Sequence, residues 1–180
     1  MACHAPAPPR LFVDYGVNFR PPFRWAVLAL TLACSPDVPQ DAGSPWLTDS
    51  DFVVAGLPDD ADSAEVLALL GEPDSIISLP DPDEPDIELL AWVYPDLAVA
   101  LADDGLRYGI TLTGPNAVTA RGLRPGDPEA RVRELYGRPK RRTAAAWDYV
   151  ATDDPDGLHV MRVGLEEGRV AWIFLGWLLE

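Results

Sequence analysis

Basic side chains are scarce in this sequence: 14 Lys and Arg stand against 29 Asp and Glu, a formal net charge of −15 over 180 residues. Nucleic-acid binding needs clustered cations to meet phosphate, so a field of this sign argues against it. Cysteine and histidine are equally sparse, at two each. That excludes a disulfide framework and a Cys/His zinc cluster. No uncharged apolar run reaches the ~20 residues that span a bilayer as a helix. What the chain does have is 48% apolar residues, enough for a real core in one ordinary domain or two small ones. Nineteen prolines argue against long helices and coiled coils.

The N-terminal part reads as a targeting segment. Arg10, Arg20 and Arg24 precede the uncharged stretch Trp25–Ala33, which ends in a small residue directly before Cys34. A positive flank, a short apolar core and a small residue at the cut make the tripartite secretory pattern. Cys34 just after the cut makes it similar to a bacterial lipoprotein signal, with Thr31-Leu32-Ala33-Cys34 in the place of the lipobox. On this reading residues 1–33 are the signal peptide and Cys34 is the acylated mature N-terminus. Stable anchoring takes more than one acyl chain, at about 0.8 kcal/mol per buried methylene. Residues 34–50 are polar and rich in Pro and Gly, and read as a tether.

The body carries an internal correspondence. Gly56-Leu57, Val66 and Leu70-Gly71-Glu72-Pro73 align with Gly122-Leu123, Val132 and Tyr136-Gly137-Arg138-Pro139. Trp92-Val93-Tyr94 then matches Trp147-Asp148-Tyr149. Short helices are predicted over 63–70 and 128–136, with Asp62 and Asp127 as N-caps and Gly71 and Gly137 as stops. β-rich segments follow at 75–79, 87–94, 97–102 and 106–113, then at 145–150, 158–165 and 169–175, with Gly105 and Gly168 in hairpin turns. The expected fold class is α+β: two tandem repeats, residues 51–114 and 115–180, each a short helix packed on its own antiparallel β-meander.

The run Val66-x-x-Leu69-x-Gly71-x-Pro73, the pair Trp92-x-Tyr94 and the hairpin Gly168-x-Val170-x-x-Ile173 resemble the small outer-membrane lipoproteins called SmpA/OmlA or BamE-like. A tandem of such units is similar to the β-lactamase inhibitory protein fold. The resemblance implies the periplasmic face of the bacterial outer membrane as the location. It transfers no binding residue to this chain, because the shared motifs are structural.

Charge is distributed unevenly. Residues 34–113 hold 18 acidic side chains and one basic, Arg107, whereas residues 114–180 hold 10 of each. Lys140-Arg141-Arg142, with Arg138 before it, is the dense basic run. The acidic, proline-rich stretch 80–86 has no counterpart in the second half, so Asp81, Asp83, Glu84 and Asp86 are candidate partner-binding residues. Trp177, past the last expected strand, is a further candidate as an exposed aromatic anchor. Neither the stretch 80–86 nor the turn Asp153-Asp154-Pro155-Asp156-Gly157 has the ligand spacing of a calcium site. His159 reads as a surface strand residue without a nucleophile motif beside it. No catalytic residue, metal or cofactor is therefore expected. The reading is a lipid-anchored, non-catalytic protein-binding module of the bacterial envelope, with an unidentified envelope protein as partner and the membrane reached through the lipid. The alternative is a secreted or anchored proteinaceous inhibitor of a hydrolase.

Overall fold

A computed structural model describes residues 43–80, 88–154 and 156–178. Among these residues eight strands form one antiparallel sheet: β1 (Ser75–Pro80), β2 (Glu88–Val93), β3 (Leu97–Leu101), β4 (Arg107–Leu112), β5 (Arg141–Arg142), β6 (Ala146–Val150), β7 (His159–Glu166) and β8 (Arg169–Trp177). Their spatial order is β1-β2-β3-β4-β8-β7-β6-β5. Strands adjacent in the chain pair as hairpins within each half, but β4 and β8 meet across the middle, with Ile110 opposite Leu175 and Leu112 opposite Ile173.

This corrects the expectation of two tandem helix-on-meander repeats. The β4–β8 ladder makes one continuous sheet, and the two helices are small additions to it. Helix α1 (Ser63–Leu70) and helix α2 (Glu129–Tyr136) have eight residues each, too short to be stable unless packed. The physical reason lies in the core. Val66 of α1 and Val132 and Tyr136 of α2 join one apolar cluster with Val99, Ile110, Trp147, Met161, Ile173 and Leu175. Because side chains alternate across a strand, one register row runs through seven strands on this face: Ile76, Trp92, Val99, Ile110, Leu175, Met161 and Tyr149. A core continuous over the β4–β8 seam does not divide at residue 114.

Local chemistry sets the helix ends. Asp62 accepts the Glu65 N–H at 2.8 Å, and Glu65 Oε2 accepts the Asp62 N–H at 3.2 Å, a reciprocal cap worth about 1 kcal/mol. At α2 the expected Asp127 cap is replaced. Pro128 occupies the cap position, and Asp127 instead accepts the Arg124 N–H at 3.0 Å. Gly71 and Gly137 each stop their helix with φ of 78° and 64°, values that disfavour any residue with a Cβ.

The end of the expected tether is not free chain. Leu47 is fully buried and pairs alongside Ala151, and a short 3-10 helix follows at Asp49–Phe52. Gly43 lies so close to the Leu135 carbonyl that an added Cβ would sit 2.4 Å from it. Arg121 ties this strap down, donating to both Asp51 oxygens at 2.7 Å and to the carbonyls of Ser44 and Trp46. The signal segment, with Cys34, lies outside the described residues.

Candidate binding surfaces

The strand order separates charge in space. β5, which carries Arg141 and Arg142, is one edge of the sheet, and β1 of the acidic half is the other. Sequence reading recognised Lys140–Arg142 as a charged run but missed that it forms an edge strand, since two residues are too few to show a period.

At the basic edge, alternation sends the two arginines to opposite faces. Arg142 stands opposite Trp147 on the helix face, and Arg141 opposite Asp148 on the other. The Arg142 guanidinium lies 4.9 Å from the Trp147 ring centre, and Arg133 of α2 lies at the same distance. Glu129 holds both, at 2.5 Å to Arg133 and 3.7 Å to Arg142. The indole, at 1% exposure, is therefore closed over by cations. Beside it runs an open groove of about 450 Å³ lined by Glu129, Arg142, Thr143, Leu165 and Glu167. On the reverse face the buried Asp148 is held bidentately by Arg162 at 2.8 and 3.0 Å and reached by Arg141 at 3.1 Å.

A second cluster forms where β7 begins. His159 is sandwiched between Phe52 and Trp177, with ring centres at 3.7 and 4.5 Å and interplanar angles of 21° and 5°. Its Nε2 lies 3.1 Å from Asp59 Oδ2. Asp59 also pairs with Arg107, which further donates to the carbonyls of Phe52 and Leu57. Burial works against the Asp59 charge, but His159 and Arg107 outweigh it and hold the carboxyl below its usual range. The backbone N–H of His159 donates to Asp154.

Both expectations here need correction. His159 is buried rather than a surface residue, with both ring faces covered, so it serves packing. Trp177 is the last residue of β8 rather than lying beyond it. It remains 42% exposed, with one ring face on His159 and an edge to solvent. The stack was invisible in sequence because Phe52, His159 and Trp177 come from three distant segments. Asp81, Asp83, Glu84 and Asp86 lie outside the described residues. Arg107, the basic residue of the acidic half, has no exposed side-chain surface. Among the described residues no group of three or more His, Cys, Asp or Glu is placed to hold a metal ion.

No family model matches the chain, and no curated protein matches it. Among solved structures it is similar to an extracellular protein containing an SCP domain from Bacillus anthracis str. Ames. That similarity is 12% identity at a TM-score of 0.43, over 81% of this chain and 50% of the other. The chain thus spans half the length of that structure.

Proposed function

We propose that this protein is a lipid-anchored, non-catalytic binding module of the bacterial cell envelope, fixed through Cys34 at the periplasmic face of the outer membrane. Its acidic half receives a cationic envelope protein, and its basic edge faces away from that contact. The observation that carries this reading is the separation of charge along the sheet. The single cation of residues 34–113 is buried, while Arg141 and Arg142 are exposed at the opposite edge. Such an arrangement orients an approaching charged partner before contact and raises its on-rate. The signal-like stretch ending Ala33-Cys34 supports the anchor.

The test uses the full chain in a bacterium that processes lipoproteins, fed an alkyne fatty acid. A photo-crosslinking residue replaces Asp74 in the acidic half or Thr143 at the basic edge. The expected result is acyl labelling that Cys34→Ala abolishes, and a discrete crosslinked protein at position 74. Equal labelling of the Ala variant removes the anchor, and no crosslinked protein at either position removes the binding module.

A further inference from the structure

The two tryptophans that occupy matching places in the sheet are covered in opposite ways. Trp147 faces Arg142 across β5–β6, and Trp92 faces Ile76 across β1–β2. On α2, Arg133 is the residue whose carbonyl receives the Gly137 N–H; on α1, Leu67 receives the Gly71 N–H in the same way. The alignment that pairs Gly71 with Gly137 also places Ser63 where α2 has Glu129. The cover of Trp147 is thus two cations tied by a carboxylate. The positions that should cover Trp92 hold two aliphatic residues and a hydroxyl.

The consequence is visible in exposure. Trp147 is closed off, whereas Ile76 is 56% and Leu90 38% exposed beside a partly buried Trp92, and Leu67, the counterpart of Arg133 in the alignment, is 37% exposed. Leu90 is two residues from Trp92 on β2 and shares its face. Trp92 Nε1 is buried without an acceptor among the described residues. Large apolar side chains exposed singly are ordinary, but three grouped with one half-covered indole form an interaction surface.

The surround decides the occupant. Glu65, Glu72 and Asp74 are exposed on α1 and the turn after it. No exposed cation from this half offsets them, since Arg107 is buried. We infer that Leu67, Ile76, Leu90 and Trp92 form a docking site for the apolar anchor of a partner segment flanked by Lys or Arg. This rests on the binding-module reading and adds the place and the chemistry of the contact.

The second half supplies the variant that tests it without endangering the fold. Ser63→Glu, Leu67→Arg and Ile76→Arg together rebuild around Trp92 the cover that Trp147 already carries. Leu67→Gln with Ile76→Thr removes apolar surface without changing charge. The probe is a fluorescein-labelled synthetic peptide of alternating leucine and lysine, offered to the purified full chain and followed by anisotropy. Two control peptides replace every lysine by glutamate or every leucine by serine.

The leucine–lysine peptide is expected to bind at least tenfold more tightly than either control, and to weaken about tenfold in 0.5 M salt as exposed charges are screened. Both variants are expected to lose at least tenfold in affinity with unchanged urea midpoints. Equal binding by the Gln/Thr variant, or by the serine–lysine peptide, overturns the inference. So does concentration-dependent dimerisation of the protein alone that the Gln/Thr variant abolishes, since a second copy would then be the occupant. A cellular crosslink at position 74 that survives the Gln/Thr variant overturns this site while leaving the binding-module reading intact.

Discussion

Replacing Arg121 by methionine should cost about 3 kcal/mol, and the structure says why. The guanidinium makes two 2.7 Å bonds to Asp51, further bonds to the carbonyls of Ser44, Trp46 and Leu135, and lies 4.7 Å from the Tyr136 ring centre. Methionine keeps much of the stem packing but leaves the buried Asp51 without its cation. Breaking a buried pair from one side costs about 3–5 kcal/mol, and the low end applies because Arg121 keeps some contact with water. For a domain of this size about 3 kcal/mol lowers Tm by roughly 9 °C. The pH dependence adds a sign. Burial raises the Asp51 pKa, but hydrogen bonds from Arg121 and Thr48 outweigh it and set it below its ordinary 3.8. A carboxyl depressed in the folded state stabilises the protein above its unfolded pKa and loses that contribution as pH falls through the folded one. Wild type should therefore lose stability below about pH 4 through this group, and the methionine variant should lose that part of its slope. Urea unfolding followed by tryptophan fluorescence at pH 7 and pH 3 measures both effects. A variant within about 1 kcal/mol of wild type, with an unchanged acid slope, would refute the reasoning.

Gly164→Ala should destabilise by about 1–3 kcal/mol, because the new methyl would sit 2.2 Å from the Trp172 ring; thermal melting checks it, and Trp172→Leu in the same background should recover part of the loss. Converting Asp81, Asp83, Glu84 and Asp86 to their amides should slow association with a cationic partner and flatten its salt dependence while leaving the melting temperature in place, as surface plasmon resonance at several salt concentrations would show.

The sequence was informative wherever a signal is local. Asp62 and Gly71 mark α1 within ten residues, and the spacing of Trp147 and Tyr149 places both on one face of β6, which is the core face. What failed was assembly. The same residues suit two separate meanders or one sheet, and the choice is made by β4 pairing with β8 more than sixty residues away. Gly109 opposite Gly176 allows that approach, for a Cβ on Gly176 would lie 2.5 Å from the Tyr108 carbonyl oxygen. Neither glycine lies in a turn, so neither announces its purpose. The cover of Trp147 was hidden for the same reason: Arg133 and Arg142 meet the ring from different elements.

The β4–β8 seam also dictates when the molecule can become whole. Among the described residues β8 is the last strand in chain order, so during synthesis β4 waits with a bare row of amides and carbonyls until β8 has emerged. A strand left waiting in this way accepts the equivalent strand of any neighbouring copy, because the complementary edge is identical in every molecule. Crowded nascent chains of this protein should therefore exchange halves, with β4 of one molecule closed by β8 of another. Such a dimer would repeat every contact of the monomer and come apart only as fast as the whole sheet unfolds.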